Sequence, residues 1–101
     1  MVKVALFVRL QAKPGKEEAV KEFLESAVSL ANREATTPIW FALRLGSATF
    51  AIFDAFAGEG ERQAHLAGDI AKTLMAEAPR LLSEAPKIER VDVLAAKLPS
   101  G

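Results

Sequence analysis

Hydrophobic and polar residues alternate strictly from Val2 to Ala12. Val2, Val4, Leu6, Val8 and Leu10 fall on one face and Lys3, Ala5, Phe7, Arg9 and Gln11 on the other. Period two predicts a strand, and the Pro14-Gly15 pair ends it. From Lys16 the spacing becomes helical: Ala19, Val20, Phe23, Leu24, Ala27, Leu30 and Ala31 recur at three- and four-residue steps, while Lys16, Glu17, Glu18, Lys21, Glu22 and Glu25 cover the wet side. This predicts a helix to about Arg33, broken by Thr36-Thr37-Pro38. Two β-rich runs follow, Ile39–Leu45 and Thr49–Phe56.

The Gly46-Ser47 pair between those runs suits a two-residue hairpin of type II′. With Leu45 and Ala48 flanking the turn, Leu43 pairs with Phe50, Phe41 with Ile52 and Ile39 with Asp54. On the other face Arg44 meets Thr49, Ala42 meets Ala51 and Trp40 meets Phe53. Both faces of the hairpin are then largely apolar, and the helices of one antiparallel domain cover only one of them. The bulkier set, Leu6, Val8, Ile39, Phe41, Leu43, Phe50, Ile52 and Phe56, is assigned to the inner core. The other set, with Phe7, Trp40 and Phe53 among small alanines and with Arg44 at its edge, is expected to meet a second copy of the chain. Arg90 and Asp92 are expected to pair across the two-fold axis of that homodimer.

After the Gly58-Glu59-Gly60 turn, Glu61–Leu66 reads as a short helix. Asp69 reads as the N-cap of another through Ile70, Leu74, Met75 and Ala78, with Pro79 and Pro86 punctuating its end. Leu81-Leu82 adds a further helical turn, and Lys87–Lys97 reads as a closing strand. The order is βαββαβ, and right-handed crossovers turn it into an α+β, ferredoxin-like sandwich with a four-stranded antiparallel sheet. Residues 1–98 are expected to form a single domain and 99–101 a frayed tail.

Composition narrows the chemistry. The 101 residues carry 13 Lys+Arg against 13 Asp+Glu, without a basic run, so the electrostatic footprint of a nucleic-acid binder is missing. The longest apolar runs, Val4–Val8 and Ile39–Leu43, are far shorter than the roughly 20 residues that span a bilayer. The sequence shows no leader-like stretch before the first strand, so a cytoplasmic location is expected. Having no Cys, the chain can form neither a disulfide nor a thiolate metal site, and His65, its one histidine, cannot build a multi-histidine centre. No metal site is therefore expected, and with the phosphate-binding glycine loops missing as well no nucleotide cofactor is expected either.

Two residues stand out. His65 sits on the short helix after the third strand, where an imidazole reaches the space between helices and sheet with a pKa suited to proton transfer; the simpler reading is an exposed or capping histidine. Asp54 falls on the same face as Phe50, Ile52 and Phe56. There it either caps a strand end or orients one nitrogen of His65, leaving the other free as a base. Around them Trp40, Phe41, Phe50, Phe53 and Phe56 make an aromatic hairpin that either packs the core or lines a site for a flat apolar molecule.

The stretch Thr49-Phe50-Ala51-Ile52-Phe53-Asp54-Ala55-Phe56, followed by Arg62-Gln63-Ala64-His65-Leu66, resembles the antibiotic biosynthesis monooxygenase domain family. The opening strand with Lys13-Pro14-Gly15-Lys16 and the closing Ile88-Glu89-Arg90-Val91-Asp92-Val93 extend the likeness over nearly the whole chain. The family pattern usually has Glu then Tyr where this chain has Asp54 and Phe56. The resemblance implies a dimeric α/β barrel and, as in several members, oxidation of a quinol or polycyclic phenol by O2 without metal or flavin. His65 would then be base or hydrogen-bond donor and Asp54 its orienter, with Phe41, Phe50, Phe56 and Leu66 as the pocket wall. The alternatives are a non-catalytic dimeric barrel that binds a small apolar metabolite, and a heme-degrading enzyme. The heme-degrading branch places an Asn in the first strand, where this chain has Leu6-Phe7-Val8.

Overall fold

A computed structural model describes residues 1–99 of the chain; of the tail expected at 99–101, Ser100 and Gly101 lie outside the described residues. Strands β1 (Val4–Gln11), β2 (Ile39–Arg44), β3 (Thr49–Phe56) and β4 (Lys87–Asp92) alternate with helices α1 (Glu17–Ala31), α2 (Glu59–Leu66) and α3 (Asp69–Leu81). They build one antiparallel sheet in the order β2-β3-β1-β4. This is the ferredoxin-like arrangement that the sequence predicts, its second crossover carried by α2 and α3 together.

Gly15, at φ +84°, reverses the chain into α1. That helix buries Val20, Leu24, Ala27 and Ala31, one stripe at three- and four-residue spacing. It ends two residues short of Arg33. The chain then tightens, Arg33 N–H donating to Leu30 O and Glu34 N–H to Ala31 O, both three residues back. Further along, α3 runs through Pro79 instead of stopping there, and Leu82 N–H still reaches Ala78 O at 2.8 Å. β4 stops at Asp92, five residues short of the expected Lys97.

The hairpin departs from the predicted register by one residue. Arg44 stands opposite Phe50, Ala42 opposite Ile52 and Trp40 opposite Asp54. Leu45 and Gly46 N–H both donate to Thr49 O, so Gly46, Ser47 and Ala48 bridge the strands where two residues were expected. Gly46 does not take the positive φ that a II′ turn requires at that place. Because side chains alternate along a strand, one extra turn residue moves all of β2 to the opposite face.

The helix-covered face therefore holds Leu6, Val8, Leu10, Phe50, Ile52 and Phe56 against Val20 and Leu24 of α1 and Leu74, Ala78 and Leu81 of α3, and Trp40 packs at its margin. Phe41 lies instead on the open face, 54% exposed and stacked on Phe53 with ring centroids 6.5 Å apart. Trp40 and Arg44, expected on the dimer face, point to the helix side, where the Arg44 guanidinium lies 5.0 Å over the Phe50 ring. Arg90 and Asp92 are also displaced from the expected interface. Paired with Leu6 and Val4, they belong to the helix side, where Arg90 acts on Glu59 and Asp92 on Arg62. Phe7 and Phe53 keep their expected place on the open face, facing each other across β1 and β3.

Candidate functional site

α2 turns Arg62 and His65, three residues apart, inward. Arg62 Nη1 donates to the carbonyls of Ala5 (3.1 Å) and Val91 (3.4 Å), while its guanidinium pairs with Glu59 one turn earlier. That pairing holds the Glu59 carboxyl down at about 2. Arg62 thus fastens α2 to β1 and β4, and with it the position of His65. In the sequence Arg62 stands only as the first residue of the stretch that leads to His65.

His65 is 6% exposed and lies between two carboxylates. Its Nε2 is 2.8 Å from Asp54 Oδ2 and its Nδ1 is 2.6 Å from Glu34 Oε1. Thr37 Oγ1 donates to that same Glu34 oxygen at 2.9 Å and lies 3.3 Å from Nδ1. The Phe56 ring packs against the imidazole with centroids 5.3 Å apart. Gly68 leaves room for this arrangement: a Cβ there would stand 3.1 Å from Glu34 Oε2. Burial of the ring pulls the His65 pKa down, but the Asp54 and Glu34 carboxylates outweigh it and leave the pKa above the ordinary 6.5.

Asp54 is completely buried, between Leu6 of β1 and Trp40 of β2 on one sheet face. Its contact with His65 is an ion pair rather than a well-aligned hydrogen bond, and neither of its oxygens has a hydrogen-bond donor among the described residues. The Trp40 Nε1 and the second oxygen of Glu34 are buried without partners as well. Polar atoms with no partner are expensive in a folded interior.

Asp54 and His65 close one end of a cavity of about 190 Å³ between sheet and helices. Its walls are apolar, from Leu6, Val8 and Ile52 below to Leu66, Ile70 and Leu74 above, and Met75 and Ile88 stand at its rim. An apolar protein cavity of about 150 Å³ holds a benzene ring, so this one has space for a single aromatic ring. Glu34 forms part of a separate polar depression of about 220 Å³ beside Arg33, Thr36 and Asp69. The network therefore runs from the apolar cavity at Asp54 to the outer surface at Glu34.

The structure thus brings together Asp54, His65, Phe56 and Leu66 from the sequence-predicted set. Of the expected pocket wall only Leu66 lines the cavity: Phe56 packs against the His65 ring without lining it, Phe50 is buried further along β3 and Phe41 lies on the opposite face. The free ring nitrogen expected on His65 is also not there, because Glu34 engages it. Sequence reasoning misses Glu34 and Thr37. The one signal that could have pointed to them is that a buried histidine held by Asp54 needs a second partner, and the chain after α1 supplies Glu34 and Thr37 close together. Among the described residues no group of three or more His, Cys, Asp or Glu is arranged to hold a metal ion, and no helix is long and apolar enough to cross a membrane.

The sequence matches no protein-family model and no curated protein. Solved structures do match. A protein of unknown function from Nitrosomonas europaea is 61% identical, with a TM-score of 0.97 over 100% of this chain and 98% of that one. A candidate antibiotic biosynthesis monooxygenase from the same organism is 19% identical, with a TM-score of 0.80 over 91% and 99% of the two chains. Another, from Deinococcus radiodurans, is 17% identical with a TM-score of 0.79 over 97% and 99%. At those two lower identities the likeness is one of fold. The chain belongs to one family with the first Nitrosomonas europaea protein, and its fold is that of the antibiotic biosynthesis monooxygenase structures.

Proposed function

We propose that this protein is a monooxygenase that oxidises a small quinol or phenol with O2, without a cofactor, in the cavity closed by Asp54 and His65. The observation that carries the reading is Asp54, a fully buried carboxylate whose oxygens find no hydrogen-bond donor among the described residues and which lines an apolar cavity of single-ring size. A substrate hydroxyl supplies the missing donor. Transfer of its proton to the Asp54–His65 pair leaves an electron-rich aromatic anion that passes an electron to O2 directly. The apolar walls exclude water and hold the radical pair together until the C–O bond forms. With 1,4-hydroquinone, one quinol and one O2 give one 2-hydroxy-1,4-benzoquinone and one water. One oxygen atom enters the ring, the other leaves as water, and the substrate supplies all four electrons. The named fold neighbours support this reading.

The test is O2 uptake with 1,4-hydroquinone and 2-methyl-1,4-hydroquinone, corrected for autoxidation. Saturable uptake at one O2 per quinol is expected. No uptake above the uncatalysed rate with either quinol would overturn the reading in favour of a non-catalytic protein that uses the same cavity to bind a small apolar metabolite.

A second copy covering the open sheet face completes the proposal. Exposed Phe41 and Leu43, beside half-buried Phe7 and Phe53, leave a large apolar surface on a single chain. Phe41→Glu is expected to give a monomer in sedimentation velocity while the native protein sediments as a dimer. An identical profile for both would count against pairing through this face.

A further inference from the structure

We infer that Glu34 fixes His65 as an imidazolium, and that Asp54 rather than the histidine therefore accepts the proton of a hydroxyl bound in the cavity. The second half rests on the function proposed above; the first does not.

A neutral imidazole has one N–H and one lone pair. Here each ring nitrogen faces a carboxylate oxygen, at 2.8 Å and 2.6 Å. A lone pair on either nitrogen would be set against an oxygen lone pair at contact distance, so two acceptors call for two ring protons. The Glu34 side of the ring is the better determined. Thr37 Oγ1 donates to the same oxygen that meets Nδ1, and a hydrogen bond donated to a carboxylate favours its ionised form. With the Glu34 carboxylate at Nδ1 and the Asp54 carboxylate in ion-pair contact with Nε2, both ring nitrogens carry a proton.

The remaining surroundings do not oppose this. Asp54 faces the ring from β3 and Glu34 from the chain after α1, and these two are the charged groups that act on it. On α2 itself Arg62 is turned toward Ala5, Val91 and Glu59. From α3, Asp69 borders the outer depression next to Glu34.

An imidazolium with both protons committed has no lone pair left to act as a base. The Asp54 carboxylate, which lines the cavity and has no hydrogen-bond donor among the described residues, is the free acceptor. When it takes the hydroxyl proton, the negative charge moves to the substrate oxygen and stays close to the imidazolium, which stabilises it. Glu34 acts through His65 and does not touch the cavity, which makes it a positioning residue.

His65 is the one histidine of the chain, so its ring signals are unambiguous in 15N NMR of histidine-labelled protein. At pH 7.5 both nitrogens are expected to be protonated, and to remain so when phenol is added. Glu34→Gln is expected to lower the midpoint of the titration by about one pH unit or more. Thr37→Val, which removes the donor on Glu34 and keeps the carboxylate, should move it the same way by less and serves if the glutamine variant does not fold. A neutral ring in the native protein at pH 7.5, an unmoved midpoint in the variant that folds, or loss of a ring proton on phenol binding would overturn the inference. Phenol that leaves every cavity resonance unmoved would overturn the proton-acceptor role of Asp54 together with the proposed ligand site, while the titration still decides the part played by Glu34.

Discussion

His65→Ala is expected to destabilise the protein by about 3–5 kcal/mol, the cost of removing one partner of a buried ion pair and leaving the other charge uncompensated. Asp54 is the reason for so large an effect. It is fully buried, its one charged contact among the described residues is His65, and neither oxygen has a hydrogen-bond donor there to fall back on. Against a total stability of about 5–15 kcal/mol for a domain, this is a large fraction. At this size it lowers Tm by about 15 °C or more, as calorimetry would show. His65→Gln, which keeps one donor for one of the two carboxylates, should cost less.

The same pair sets a pH dependence with a definite sign. The folded-state pKa of His65 lies above its unfolded value of about 6.5, so the native state holds the proton more tightly than the unfolded chain. This contribution is complete below about pH 6.5 and is lost as pH rises through the raised folded pKa. The stability gap between the native protein and His65→Ala should therefore narrow with rising pH above 6.5. A gap that stays constant or widens over that range would show that the imidazole is not held charged by its neighbours.

Asp54→Asn is expected to lower quinol oxidation by about 10²–10⁴-fold, the range that a positioned general base contributes. Asparagine preserves the shape of the side chain and an acceptor oxygen, so a bound hydroxyl still finds a hydrogen bond, but the amide does not take its proton. The expected signature is a fall in kcat with KM changed far less. A purely structural Asp54 would give a different result, with Tm altered and kcat retained in the fraction that folds.

Much of this fold can be read from alternation and helical spacing because those patterns record which face of each element is buried. β1 and α1 are clear examples, and β3 reads onto its correct face, which is why Asp54 stands out as a carboxylate among inward Phe50, Ile52 and Phe56. The facing of β2 is not legible. Both of its faces are apolar, so only the turn could set the register, and a turn of three residues in place of two exchanges Phe41 for Trp40. Glu34 is hidden for another reason. It follows a charged helix face, and only the tightening of the chain after Ala31 sets it beside Nδ1 of His65. Arg62 is hidden likewise, since its bonds to β1 and β4 join residues far apart in the chain.

The most direct test of the central claim is a crystal structure of the protein soaked with 1,4-hydroquinone under anaerobic conditions, so that the substrate is not consumed. The account predicts one ring between Leu6, Val8 and Ile52 below and Ile70 and Leu74 above, with a hydroxyl within hydrogen-bonding distance of Asp54 Oδ1. A cavity that stays closed at saturating quinol, or a quinol bound with its hydroxyls turned away from Asp54, would contradict it.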